Sequence, residues 1–110
     1  MFPKKNRIRT SWEIKKIFKN NQRFNHRFFS VLYLKNYLSH ARSTVIVSKK
    51  YDKRAVYRNK LKRKFREAAY PFIVQSQKNL DIIIIPKYSS KNINFHEIKN
   101  NLEYALKKIT

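Results

Sequence analysis

The chain has 110 residues, the length of one domain, and its 42% hydrophobic residues are enough to form a core. Its 27 Lys and Arg against 6 Asp and Glu give a formal net charge of +21, which implies a polyanionic partner, either nucleic acid or an acidic membrane surface. The absence of cysteine excludes disulfides and the usual zinc knuckles, and the lack of a long apolar run or a secretory signal favours the cytosol over a membrane.

The first third of the chain predicts an arm, a helix and a strand. Residues 1–9 form a basic N-terminal arm that we expect to be loosely held. Thr10 with Glu13 fits a capping box that opens a short helix from Ser11 to about Lys19, in which Trp12 and Ile17 are expected to pack inward. The segment from Arg27 to Lys35 alternates as a strand, with Phe29, Val31 and Tyr33 on one face and Phe28, Leu32 and Leu34 on the other. Two apolar faces indicate cover on both sides, or one side kept for a ligand.

The remaining residues predict two strands and two helices. Ser43 to Ser48 is a second strand, and a basic helix follows from about Lys53 or Arg54 to Tyr70, where Pro71 is expected to end or kink it. LDIIII at Leu80–Ile85 is typical of a central, partly parallel strand that is buried on both faces. Asn94 with Glu97 is a second capping box and opens a C-terminal helix. The order helix, two strands, helix, strand, helix predicts a small two-layer α/β sandwich in a single domain, residues 1–110.

The most basic stretch runs from Lys49 to Arg66, where ten of eighteen residues are Lys or Arg. Its helical part carries an apolar stripe, which comprises Tyr57, Leu61, Phe65, Ala68 and Phe72. Arg58, Lys62 and Arg66 follow one edge of that stripe, Asn59 and Arg63 point outward, and Lys60 and Lys64 flank the far edge. Like charges four residues apart destabilise a helix by about 0.2–0.5 kcal/mol per pair, so we expect an external polyanion to neutralise them.

The same stretch resembles the protein subunit of bacterial ribonuclease P, whose hallmark is Ser-Lys-Lys at a strand end followed by Ala-Val-x-Arg-Asn-x-x-Lys-Arg-x-x-Arg. The matching residues here are Ser48, Lys49, Lys50, Ala55, Val56, Arg58, Asn59, Lys62, Arg63 and Arg66. Asn6-Arg7-Ile8 and Ile14–Phe18 look like the first helix region of this family. The resemblance implies a ribosomal-protein-like fold with a mixed sheet of four strands and three helices. It also implies that the basic helix lies in a left-handed β-α-β crossover, against the usual right-handed preference.

The resemblance further implies a non-catalytic subunit of an endoribonuclease, in which the RNA subunit and its bound Mg²⁺ hydrolyse precursor tRNA. No metal or cofactor is then expected on the protein, and the expected partners are one ribonuclease P RNA and the 5′ leader of precursor tRNA. The residues implied to bind RNA are Lys49, Lys50, Arg54, Arg58, Asn59, Lys60, Lys62, Arg63 and Arg66. A leader cleft between the first helix and the facing sheet would be lined by Ile14, Phe18 and Tyr33.

Three positions depart from the family pattern. Lys60 stands where many members have a second arginine, so bidentate phosphate geometry is lost there. Ile14 stands where an aromatic residue is common, which weakens base stacking, and Asp52 stands near a customary glycine.

Simpler interpretations stand beside these. The basic helix could be a solvated face enriched by an A/T-rich genome, and Phe18 and Tyr33 could be core residues, a choice that their exposure decides. The six acids and three histidines show no spacing typical of a catalytic or metal site. Alternatives to the ribonuclease P role are a ribosomal-type RNA-binding protein without leader specificity and a membrane-surface module.

Overall fold

A computed structural model describes residues 2–76, 78–90 and 92–109 of the protein. Its helices are α1 (Ser11–Asn20), α2 (Ala55–Gln75) and α3 (Phe95–Ile109), and its strands are β1 (Gln22–Asn25), β2 (Phe29–Lys35), β3 (Arg42–Val45) and β4 (Leu80–Pro86). Short 3₁₀ turns cover Lys4–Asn6 and Tyr88–Ser90. The prediction of three helices and a mixed sheet of four strands is confirmed.

The four strands form one sheet in the order β1-β2-β4-β3. Strand β2 is antiparallel to β1 and β4, whereas β3 runs parallel to β4, so α2 forms a β-α-β crossover between adjacent strands. The left-handed sense of that crossover stays a prediction. Strand β4 is central and partly parallel, as its four isoleucines predicted, and Ile82, Ile83 and Ile84 are buried.

The two faces of the sheet are covered unequally. On one face, Phe29 and Val31 of β2 pack with Ile84, with Phe65 of α2 and with Leu102 of α3, all at 0% exposure. Each such side chain contributes about 1.5–3 kcal/mol on burial, so this two-layer part supplies most of the core. Phe28, predicted for the opposite face, precedes β2 and packs against this same core.

The second face is covered by α1 and by Ile8 of the N-terminal segment. Ile17 of α1 packs on Leu32 and Ile83, and together with Ile8 they form a second, smaller core. Helix α1 lies against β2 and β4, while Ile46 and Ile85 beside this core remain half-buried. A short helix thus leaves part of an apolar sheet face uncovered.

The N-terminal segment is packed, so the expectation of a loosely held arm is wrong. Phe2, Asn6 and Ile8 are buried. The Ile8 amide donates to the carbonyl of Ser43 at 3.2 Å, and Arg7 forms a parallel bridge with Ser43, so the segment pairs with the outer edge of β3. The Asn6 side chain donates to the carbonyl of Ala41 at 2.8 Å. Apolar residues between the basic ones anchor the segment, and the charge pattern alone did not reveal this.

Helix α2 continues through Pro71 to Gln75, so the predicted end at Tyr70 is wrong, while the alternative of a kink at Pro71 stays a prediction. Proline removes one helical hydrogen bond, but Ile73 in the following turn is 1% exposed and packs in the main core. Burial of that turn offsets the lost bond. At the start of α3, the Asn94 carboxamide oxygen accepts from the Glu97 amide at 2.9 Å, which confirms that N-cap. At α1, Thr10 donates its hydroxyl to the Glu13 carboxylate instead of capping a backbone amide.

Candidate nucleic-acid interface

The basic residues of α2 are arranged around the helix as its sequence predicted. Leu61, Phe65 and Ala68 face the core and are buried. The half-buried edge carries Arg58, Lys62 and Arg66, while the exposed positions are Asn59, Lys60 and Arg63. Cations therefore occupy both edges and much of the outer face of α2 between Arg58 and Arg66.

The far edge of α2 forms a separate basic cleft. Lys60 and Lys64 line a cavity of about 220 Å³ together with Tyr51 and Tyr57. Tyr57 was predicted in the apolar stripe, but it is exposed, and the Arg54 guanidinium stacks on its ring at 3.9 Å from the centroid. Lys49 and Lys50 are exposed in the turn that precedes α2. The predicted RNA-binding residues thus occupy two edges of the helix and its N-terminal approach.

The turn that leads into α2 is held by Asp52 and Arg58. The Asp52 carboxylate accepts from the Arg54 amide at 2.9 Å and from the Arg54 guanidinium at 3.1 Å, which raises the pKa of Arg54. Arg58 Nη1 donates to the carbonyls of Asp52 and Lys53, each at 2.8 Å. No described residue has a positive φ, so this glycine-free chain closes the turn with side chains. Arg58 therefore has a structural role besides its charge.

Arg7 and Arg66 meet at the outer edge of β3. They line a cavity of about 140 Å³ together with Phe2, Ser43 and Thr44. The backbone of Arg7 is fixed by its bridge to Ser43, and its Nε donates to the Phe2 carbonyl at 2.6 Å. The basic edge of α2 therefore continues around β3 to the N-terminal segment. Arg7 was not among the predicted RNA-binding residues, although Asn6-Arg7-Ile8 carried part of the resemblance.

Two of the three predicted cleft residues lie at the partly uncovered sheet face beside α1. Ile14 is half-buried against the smaller core, and Phe18, one helical turn further along, is 44% exposed. Phe18 is therefore not a core residue. Ile46 and Ile85 present half-buried apolar surface of the sheet on this side. This side of the sheet therefore offers one exposed ring on α1 and half-buried apolar side chains on the strands.

Tyr33 does not belong to that cleft. It packs with the main core on the opposite face of the sheet and lines a cavity with Ile109 of α3. The alternation along β2 places Tyr33 with Phe29 and Val31, and α1 covers the other face. Trp12, predicted to pack inward, is 65% exposed because it points away from Ile17 around the helix.

A network of three charged side chains ties α1 to the sheet. Arg42 of β3 donates to Glu13 of α1 at 2.6 Å and to the Asp81 carboxylate of β4 at 2.6 and 2.9 Å. The hydrogen bonds that Arg42 donates to Asp81, followed by the one to Glu13, raise the pKa of Arg42 despite its partial burial. The pKa of Glu13 is lowered, chiefly by the hydroxyl of Thr10 and then by Arg42. The network joins α1 to two strands through three residues that are far apart in the sequence.

The acidic and histidine side chains are distributed without a candidate metal centre in the part of the chain that the structure describes. No three His, Asp or Glu residues come together there as potential ligands. Glu13 and Asp81 bind Arg42, and Glu103 pairs with Lys107 at 3.3 Å. Among the same residues, no helix is long and apolar enough to cross a membrane.

Comparisons with known proteins agree with this architecture. The family model described as Ribonuclease P matches residues 2–110. The ribonuclease P protein component of Listeria innocua is 36% identical over 105 residues, covering 94% of this chain and 87% of the relative. A Staphylococcus aureus RNase P protein mutant with defective mRNA degradation activity has a TM-score of 0.85 at 33% identity, covering 96% of this chain and 89% of its own. The RNase P protein from Thermotoga maritima has a TM-score of 0.84 at 30% identity, covering 94% and 97%.

Proposed function

The chain belongs to the ribonuclease P protein family, and from that premise we propose that it binds the catalytic RNA through α2 and the 5′ leader of precursor tRNA through the α1 face. Its role is that of the protein subunit of a bacterial ribonuclease P, which matures the 5′ end of tRNA. Residues 1–110 act as one ribonuclease P protein domain in the cytosol.

The observation that carries this proposal is the continuity of two different surfaces. The Arg58, Lys62 and Arg66 edge of α2 reaches the edge of β3, where Arg66 and Arg7 share a cavity with Thr44. Thr44 pairs with Ile83, whose side chain lies on the α1 face of the sheet. A folded RNA held by the cations is thus adjacent to the half-covered apolar face that would receive a single strand.

The residues divide between these two tasks. Exposed Arg63, Lys49 and Lys50, with the half-buried edge of α2, supply phosphate contacts that position the RNA and make affinity depend on salt. Phe18 supplies a ring for stacking on a leader base, and Ile14 supplies apolar contact beside it. Tyr33 has no part in the cleft.

Chemistry in this proposal belongs to the RNA subunit. The described acids are dispersed or engaged in ion pairs, and the positive protein offsets repulsion between phosphates. Mg²⁺ would be held by the RNA subunit and would supply the Lewis-acid chemistry of the hydrolysis. The chain contributes binding, charge and the placement of the leader.

The test is cleavage of 5′-labelled precursor tRNA by a bacterial ribonuclease P RNA at limiting Mg²⁺, with and without the protein. We expect cleavage at the mature 5′ end only when RNA and protein are both present. Cleavage by the protein alone would contradict the assignment of catalysis to the RNA. Binding of RNA without stimulation of cleavage would favour a ribosomal-type RNA-binding role instead.

A further inference from the structure

A second cleft lies on the flank of α1 that faces away from Phe18. It has a volume of about 260 Å³ and is lined by Trp12 and Lys16 of α1 and by Leu34–Leu38 at the end of β2. Trp12 and Phe18 are six residues apart, which separates them by about 9 Å along the helix axis and by about 120° around it. The two rings therefore belong to different surfaces.

The aromatic groups of this cleft are open to solvent. Trp12 is 65% exposed, Tyr37 is fully exposed and Leu38 is 41% exposed. Large apolar side chains that cluster at one surface site usually mark a binding surface rather than incomplete packing. Here they come from two separate segments, the first turn of α1 and the connection between β2 and β3.

The charge around the cleft selects the class of partner. Its acids, Glu13 and Asp81, share the single cation Arg42, so these three side chains together keep one negative charge, which Lys16 and Lys35 outweigh. Lys16 and Lys35, which also line the cleft, are exposed. Exposed rings next to exposed ammonium groups fit an unpaired nucleotide, whose base stacks and whose phosphate pairs with lysine.

We propose that this cleft, built on Trp12, Tyr37, Lys16 and Lys35, binds an unpaired nucleotide of RNA outside the leader cleft. This inference rests on the proposed function, because it assumes that the protein sits in a ribonucleoprotein with RNA on both sides of α1. The nucleotide comes either from the leader upstream of the bases at Phe18 or from a single-stranded segment of the ribonuclease P RNA. The chemistry of recognition is the same for the two sources.

The chain offers a selective reporter, because Trp12 is its only tryptophan. Stacking of a base on the indole should quench the fluorescence of the wild-type protein. Quenching by precursor tRNA that grows with leader length would identify the leader as the source. Quenching by ribonuclease P RNA alone would identify the catalytic RNA. If neither precursor tRNA nor ribonuclease P RNA quenches the fluorescence at saturating concentration, the proposal is overturned.

Variants then test whether the contact contributes to binding. We expect Trp12→Ala to weaken binding of the quenching RNA about five-fold or more, the lower end of what one base–aromatic stack contributes. Trp12→Phe should recover most of that affinity. Lys16→Gln should flatten the slope of log K against log salt by about 0.7, the value for one phosphate contact with a single strand. The matched control is Tyr104→Ala on α3, because Tyr104 is 55% exposed beside Lys108 but does not line this cleft. An affinity of Trp12→Ala equal to that of wild type would overturn the proposal even if quenching occurs.

The outcome is separable from that of the proposed function. Stimulation of precursor cleavage by wild-type protein together with unchanged binding by Trp12→Ala would reject the second cleft and retain the ribonuclease P role. Failure of the wild-type protein to stimulate cleavage would reject the role itself. Thermal unfolding of each variant checks folding, and the exposure of Trp12 predicts an unchanged Tm.

Discussion

Arg58 and Arg63 provide a direct test of how α2 uses its cations. The two arginines are five residues apart on the same helix and were predicted to contact RNA in the same way. The structure separates them, because Arg58 Nη1 donates to the carbonyls of Asp52 and Lys53 while Arg63 points outward and is exposed. We therefore expect Arg58→Ala to lower both protein stability and RNA affinity, and Arg63→Ala to lower RNA affinity alone.

The expected magnitudes follow from these contacts. Two hydrogen bonds of 2.8 Å from a charged donor are lost in Arg58→Ala, and at this partly exposed site we expect about 1–2 kcal/mol of lost stability. For a domain of this size each kcal/mol corresponds to a fall in Tm of about 4–8 °C. The folding stability of Arg63→Ala should stay within about 0.5 kcal/mol of that of the wild type. Each variant should flatten the slope of log K against log salt by about one unit per phosphate contact removed.

The assay combines thermal unfolding with titration of ribonuclease P RNA at several salt concentrations. Arg58→Lys and Arg63→Lys serve as controls that keep the charge, so they should largely preserve the salt slope. Arg58→Lys should recover part of the Tm, because an ammonium still reaches one carbonyl. Equal Tm values for Arg58→Ala and Arg63→Ala would refute the role of Arg58 in the turn. An unchanged salt slope would reject a phosphate contact at the substituted position.

Three further predictions concern the α1 cleft and the stability of the fold. Arg42→Ala leaves the mostly buried carboxylates of Glu13 and Asp81 without their shared cation, so the free energy of unfolding in urea should fall by about 2–4 kcal/mol. A fall of less than about 0.5 kcal/mol would contradict a stabilising role of the network. Phe18→Ala should weaken binding of precursor tRNA by about 1–3 kcal/mol and leave affinity for mature tRNA unchanged, whereas an equal loss for the two RNAs would exclude a leader contact. Burial, with smaller contributions from Lys87 and Arg27, lowers the pKa of His26 below its ordinary 6.5, and its Nδ1 accepts from the Phe28 amide. Because the unfolded chain then binds the His26 proton more tightly, the stabilisation from neutral His26 should be fully present above pH 6.5 and be lost as the pH falls through the folded pKa. In His26→Gln, this fall in Tm at low pH should disappear.

The central elements of the fold were predictable because their patterns admit one interpretation. Four consecutive isoleucines in β4 exceed what a strand with one buried face carries, and the structure buries three of them. Strand β1 was missed because QRFN has no apolar alternation. Its pairing with Tyr33 to Ser30 of β2 is set by the partner strand at the sheet edge, which propensity does not describe.

Local rules failed where distant contacts override them. Proline predicted the end of α2, yet burial of Ile73 holds one further turn. Basic composition predicted a loose N-terminal arm, yet Phe2 and Ile8 anchor it to the edge of β3. In each case the deciding residue is an apolar one whose partner lies on another element of the fold.

The sequence predicted where the cations of the site lie, but it did not predict all of the residues beside α1. The helical pattern located the cations of α2 correctly, because their arrangement depends only on the helical repeat. Alternation along β2 also separated Tyr33 from Leu32 correctly. Helix α1 is joined to its face of the sheet by Ile17 and by the contacts among Arg42, Glu13 and Asp81, and no local pattern joins these residues. Tyr33 was therefore assigned to the wrong side.

The separation of charge from apolar surface has a consequence for salt dependence. The cations of α2 bind phosphate by releasing counterions, so their contribution weakens as salt rises. Phe18 and the half-buried Ile46 and Ile85 carry no charge, so their contribution to leader binding should not depend on salt in this way. The affinity ratio between wild type and Phe18→Ala should then stay constant across a salt titration, while the ratio for Arg63→Ala shrinks toward one. A protein that placed the leader by charge alone would show both ratios converging.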